Sequence, residues 1–147
     1  MIKLRQHILA ILFFTVISAI FTFPLVLNFN SAIPGFESTN EPYAVISNLW
    51  LVKYSHDKGL DATQSDFVGF PYKTNLTPFV GSSYLWEKLK VALTLFTNHI
   101  TAFNILIILS FILSGWFTYL LARYYIESDI AALFAGFAYA LSTYHFA

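Results

Sequence analysis

One carboxylate in this sequence stands where local structure would keep it ionised and reactive. Asn40, Glu41 and Pro42 follow one another directly. Asn is a favoured helix N-cap, Pro is favoured in the first turn, and an acidic side chain there meets the positive end of the helix dipole. A carboxylate kept ionised in this way can act as a general base. It can equally be a capping charge with no chemistry at all, and the residue types alone leave both readings open. Glu37 lies four residues earlier. Together with Glu41 it supplies oxygen ligands of the kind a divalent cation takes, although a solvated loop charge is the simpler reading. His145, near the end of the chain, falls inside an apolar run. An ionisable group within a membrane segment is a functional candidate by default, and an interfacial histidine is the plainer alternative. The remaining acids, Asp57, Asp61 and Asp66, are scattered among turn residues, where Asp serves local hydrogen bonding. His56 and His99 show no ligand spacing.

What positions these groups follows from composition. Of 147 residues, 57% are hydrophobic and 11% charged, and the mean hydropathy is +0.64. Soluble domains carry about a quarter charged residues, so much of this surface must face a solvent other than water. The 16 Phe, 9 Tyr and 3 Trp suit lipid contact and interfacial anchoring. Net charge is +0 and there is no basic patch, which argues against nucleic acid as a partner. The absence of Cys removes disulfides, thiolate metal sites and a cysteine nucleophile. No phosphate-binding glycine loop, dinucleotide fingerprint, zinc-protease motif or nucleophile elbow is present in the sequence.

The fold class expected is an all-α membrane protein with about three transmembrane helices and a large extracytoplasmic loop. The first span is residues 8–27, free of charge and preceded by Lys3 and Arg5. Twenty residues at the helical rise reach about 30 Å, the thickness of a bilayer core. A signal peptide is the rival reading, but such apolar cores run only about 7–15 residues. The second span is residues 100–122, closing at Arg123, with Trp116, Tyr119, Tyr124 and Tyr125 crowding that end as an aromatic belt. Lys3, Arg5 and Arg123 then share one side, which the positive-inside rule makes cytoplasmic. The link Glu127-Ser128-Asp129 turns the chain straight back into a third span, residues 130–147, where Ala135, Gly136 and Ala140 sit at helix-seam spacing. Asn104 is placed to hydrogen-bond between helices. The expected location is the plasma (inner) membrane, multi-pass, with the N-terminus cytoplasmic. The chain is expected to continue into further helices, as the N-terminal part of a longer protein.

Residues 28–99 are too polar to stay in lipid and too apolar for a linker. Two amphipathic helices are expected there. The first spans about 41–56, with Tyr43, Ile46, Trp50 and Tyr54 along one face and Val45, Leu49 and Val52 widening it. The second spans about 83–97, with Leu85, Leu89, Leu93 and Phe96 on one face and Glu87, Lys88 and Lys90 between. Such helices either lie along the membrane surface or pack on other helices. Between them, residues 57–82 read as coil, punctuated by Lys58-Gly59, Val68-Gly69, Phe70-Pro71 and Thr77-Pro78.

The order of short motifs carries a resemblance. Phe23-Pro24-Leu25-Val26-Leu27 is followed by Ile33-Pro34-Gly35, Asn40-Glu41-Pro42, Asn48-Leu49-Trp50 and Phe70-Pro71-Tyr72-Lys73-Thr74-Asn75-Leu76. Then come Ala102-Phe103-Asn104, Leu113-Ser114-Gly115, Tyr119-Leu120-Leu121-Ala122-Arg123 and the stretch from Ala135 to Ser142. Over nearly the whole chain this resembles the N-terminal part of multi-pass GT-C type glycosyltransferases and their bacterial and archaeal relatives. The resemblance implies transfer of a sugar from a polyprenyl-phosphate donor to an acceptor on the outer face. It also implies an acidic residue soon after the first helix. Glu41 stands at that place, where the group commonly shows Gly-Asp-Pro; the carboxylate here is one methylene longer and lacks the preceding Gly. Inverting transfer would use it to take the acceptor's proton. The implied partners are the bilayer, the lipid-linked donor and the remaining helices of a longer chain; the cofactor is left open, with a divalent cation as one candidate. A transporter or assembly factor of similar topology, or an inactive truncated product, would share the same pattern of spans.

Overall fold

Leu4–Phe21 forms the first helix, α1, and its sequence shows why. It holds no Gly or Pro, and its two hydroxyl residues, with Thr22 just past its end, turn back onto the backbone of the preceding turn. Thr15 donates to the Ile11 carbonyl at 2.8 Å, Ser18 to Phe14 at 2.7 Å and Thr22 to Ser18 at 2.8 Å. Each polar group is thereby satisfied without leaving the helix. The computed structural model describes residues 4–34, 41–61, 63–75, 89 and 92–142, with only the backbone given for Glu41. The α-helix stops at Phe21, six residues before the end of the expected span. Pro24 lacks an N–H and disfavours helical geometry at Phe23. The chain continues through a turn into a 3₁₀ helix, Leu25–Asn28.

Helix α2 is Glu41–Lys58. It ends in a Schellman motif: Gly59 takes φ +64°, the Leu60 N–H donates to Ser55 O at 2.8 Å, and the Gly59 N–H donates to His56 O at 3.2 Å. Where coil was expected, two short strands pair. In β1, Gln64–Ser65, and β2, Thr74–Asn75, Gln64 faces Asn75 and Ser65 faces Thr74 in an antiparallel ladder. Residues 92–96 are helical, within the second expected loop helix; most of its other residues lie outside the described residues. Helix α3 is His99–Tyr125, and α4 is Asp129–Ala140.

α1 and α3 are each long and apolar enough to cross a membrane. At the helical rise they reach about 27 and 40 Å. The core helix of a soluble protein would pass that test of length and composition, but it would hide most of its residues. Here 17% of α1 and 22% of the most apolar stretch of α3 are buried. α4 has 12 residues, about 18 Å of helix, and the end of the third expected span lies outside the described residues.

The chain divides into two units, Met1–Phe29 with Asn104–Ala147, and Asn30–Phe103. The first unit is built on small residues. Ala10, Phe14 and Ser18 form the buried strip of α1, and Ala132, Gly136 and Ala140 that of α4. The seam of α4 thus runs at four-residue spacing through Ala132, and Ala135 is only partly buried. Phe14 is 1% exposed and sits against two glycines: a Cβ added to Gly115 would meet its ring at 2.5 Å, and one added to Gly136 would meet it at 2.6 Å. Phe13, Ile112, Trp116, Leu120, Leu133 and Phe137 pack around the cluster of Ala10, Phe14, Tyr119 and Ala132. Asn104 donates from Nδ2 to the Phe29 carbonyl at 2.8 Å, so its hydrogen bond runs to the end of the 3₁₀ segment.

In the second unit α2 buries Leu49, Leu51, Val52 and Ser55. These recur at three- and four-residue spacing and form one face. Tyr43, Val45 and Trp50 are exposed, so the aromatic line expected to lead the apolar face lies mostly outward.

Candidate functional site

Glu41 is the first residue of α2, as its place between a cap residue and a proline predicts. That puts its backbone among the N–H groups left free at the start of an eighteen-residue helix. Its side chain, Glu37 and His145 all lie outside the described residues.

The other acids among the described residues of this unit engage neighbouring groups. Asp61 Oδ1 accepts from the Thr63 N–H at 2.9 Å and the Thr63 hydroxyl at 2.8 Å, and these two bonds hold its carboxyl below the usual carboxylate range. Lys53 Nζ donates to Asp57 Oδ2 at 3.1 Å, which lowers the Asp57 pKa in the same sense. Asp66 is 4.0 Å from Lys73 Nζ. At the start of α3, Asn98 Oδ1 caps the helix by accepting from the Thr101 N–H at 2.7 Å. The Thr101 hydroxyl donates to Asn30 Oδ1 at 2.8 Å, tying the first residues of the unit to its last turn. Nδ1 of His99 is buried with no hydrogen-bond partner among the described residues.

Among the described residues the densest polar cluster is elsewhere, at the α3–α4 link. Asp129 takes the Gln6 amide at 2.9 Å and the Tyr119 hydroxyl at 3.1 Å, and its Oδ1 lies 2.8 Å from Arg123 Nε. That last approach is an ion pair and not an aligned hydrogen bond, since Arg123 Nε has no hydrogen-bond partner among the described residues. Arg123 also donates from NH1 to the Ile126 carbonyl at 2.8 Å, and Ser128 caps α4 by accepting from the Ala131 N–H at 3.3 Å. Tyr119 is therefore a core residue and not part of an interfacial belt; it is 2% exposed, against 82% for Tyr124 and 76% for Tyr125. These contacts fasten the start of α1 to the link between α3 and α4.

No protein-family model, characterised protein or solved structure matches the chain. The case for chemistry therefore rests on its own residues. Among the described residues no three His, Asp or Glu side chains converge to hold a metal ion.

Sequence reasoning missed the Gln6–Asp129 and Tyr119–Asp129 bonds. Ser128-Asp129 carries a recognisable helix-start signal, but Gln6 is 123 residues away and has no local one. The Tyr119 bond is open to a direct check. Tyr119→Phe keeps the ring and removes one hydrogen bond to a carboxylate, at a cost of about 1.5–3 kcal/mol. Thermal unfolding should register a lower Tm; an unaltered Tm would show that the bond contributes nothing.

Proposed function

We propose that this chain belongs to a membrane glycosyltransferase of GT-C type, moving a sugar from a polyprenyl-phosphate donor to an acceptor on the outer face, with Glu41 as the base. One observation carries the reading. Glu41 opens α2 in a unit whose chain leaves and re-enters two long apolar helices, α1 and α3, that fully bury few of their residues. A carboxylate so tethered works at the membrane surface, where a lipid-linked donor presents its head group. The acceptor hydroxyl attacks the anomeric carbon and passes its proton to Glu41. The new C–O bond forms as the bond to phosphate breaks, and the phosphate leaves with the electron pair. The leaving phosphate needs nearby positive charge or a cation.

The transport reading is less well supported. Transport sites need broken helices or polar groups facing a path at mid-depth. In α3 Ser110 donates to the Ile107 carbonyl at 2.7 Å and Ser114 to Phe111 at 3.1 Å, so both hydroxyls are turned onto their own helix.

Membranes carrying the protein, given a polyprenyl-phosphate donor labelled in its sugar, should release label into a lipid-free or newly glycosylated product. Equal transfer by membranes without the protein would remove the assignment. Orientation has its own test, since the chain contains no Cys. Lys58→Cys and Lys73→Cys should react with an impermeant maleimide from outside intact cells; reaction only after permeabilisation would invert the topology.

A further inference from the structure

The loop between β1 and β2 is a stiff turn that presents apolar side chains to its surroundings. Phe67 is 60% exposed, Val68 48%, Phe70 83% and Tyr72 79%. Such exposure is ordinary for a single residue but not for four within six positions. The turn holds this display by construction. The two-residue ladder closes its base, the Thr74 hydroxyl donates across it to the Val68 carbonyl at 2.6 Å, and the Tyr72 N–H donates to Gly69 O at 3.0 Å. Gly69 takes φ +78°, and a Cβ there would collide with the Thr74 hydroxyl, so the tip admits no other residue without rearrangement. Phe67 is fastened to α2, edge-on to Trp50 at 5.2 Å and to Tyr54 at 5.3 Å, while Trp50 and Tyr54 stack at 5.3 Å.

We propose that this hairpin tip, with Phe70 and Tyr72 leading, docks into the interfacial layer of the bilayer and sets α2 at a fixed height above it. The occupant is argued from three features. Both ends of the unit continue in sequence into apolar helices whose most apolar stretches bury only 17% and 22% of their residues, so the hairpin is carried on a chain tethered twice to such helices. Phe, Tyr and Trp are the residues that favour the head-group layer. Lys73, whose side chain is 70% exposed beside the tip, has the long stem that lets an ammonium stay in water while its methylenes follow the apolar surface. This inference rests on the membrane reading of α1 and α3 and extends it to a residue-level contact.

Spin labels report it directly, because the chain contains no Cys to remove. Three single-cysteine variants, Phe70→Cys, Leu113→Cys in the middle of α3 and Asp57→Cys on an exposed turn of α2, are placed in bilayer discs of phosphatidylcholine and phosphatidylglycerol. Collision with oxygen is compared with collision with a water-soluble nickel chelate. The label at Phe70 should favour oxygen several-fold more than the label at Asp57, approaching the label at Leu113. A label at Phe70 as open to the chelate as that at Asp57, with Leu113 still lipid-like, overturns the hairpin proposal and leaves the spans standing. Shielding from both reagents means that protein covers the tip, and it overturns the proposal as well. A chelate-accessible label at Leu113 removes the membrane reading and the hairpin contact with it. Tyr72→Cys repeats the measurement at a second exposed position.

Discussion

Glu41→Gln is expected to abolish sugar transfer while the protein still inserts and folds. The amide is nearly isosteric and can remain at the first position of α2. What disappears is the negative charge and the basic lone pair that would receive the acceptor's proton. Positioned general bases contribute about 10²–10⁴-fold to rate, so the loss should be of that order. The structural cost is much smaller, because a charge at a helix N-terminus typically contributes only about 0.3–1 kcal/mol. The two effects therefore separate: transfer collapses, while membrane extraction and thermal unfolding hardly change. Glu41→Asp keeps the charge with a shorter reach and should recover part of the rate. Full transfer by Glu41→Gln would reduce Glu41 to a cap, and the glycosyltransferase mechanism would need another base.

The second large effect is expected at a position with no chemistry. Gly136→Ala adds one methyl group, which would lie 2.5 Å from the Gly115 carbonyl oxygen and 2.6 Å from the tip of the Phe14 ring. A ring can tilt, but a carbonyl fixed in a helix cannot move without shifting the helix. Overpacking of this kind costs about 1–3 kcal/mol. Under the proposed membrane placement little hydrophobic gain offsets it, because helix association in lipid depends on close packing and not on escape from water. Thermal unfolding in detergent should show a clear drop in Tm for Gly136→Ala and almost none for a substitution at the exposed Ala138. A double mutant sharpens the claim. The added Cβ at Gly115 meets only the Phe14 ring among its nearest atoms, so Phe14→Ala should relieve Gly115→Ala. The same change should leave much of the Gly136→Ala penalty, since the Gly115 oxygen remains. Equal rescue at both glycines would show that the ring alone sets the spacing.

The part of this molecule that its sequence announces is the part decided by near neighbours. Charge-free runs mark α1 and α3 because the helical rise converts residue count directly into length. Gly59 ends α2 because it accepts a positive φ, and Ser128 starts α4 because its hydroxyl reaches the Ala131 N–H three residues on. Asn40-Glu41-Pro42 places the start of α2 by the same local logic, and with it the candidate base. The β hairpin was less legible. Its strands are two residues long, too short for alternation to register, and its turn is held by the Thr74–Val68 bond across six positions.

Only the tertiary structure decides which residues meet across space. Small residues at helical spacing were visible in α4, but that Gly136 faces the Gly115 backbone, with Phe14 wedged against both, depends on how three helices pack. Tyr119 has the composition of a belt residue and lies in the core because Asp129 receives its hydroxyl. The apolar residues of α2 fill more than one side of the helix, so periodicity alone could not say that Leu49 and Val52 turn inward while Tyr43 and Trp50 stay out. Local sequence sets backbone conformation and overall solvent preference, because these depend on bonds within a few residues and on summed side-chain chemistry. Pairing between distant residues depends on shape and hydrogen-bonding partners brought together by the fold, and no single stretch of this chain contains both halves of such a pair.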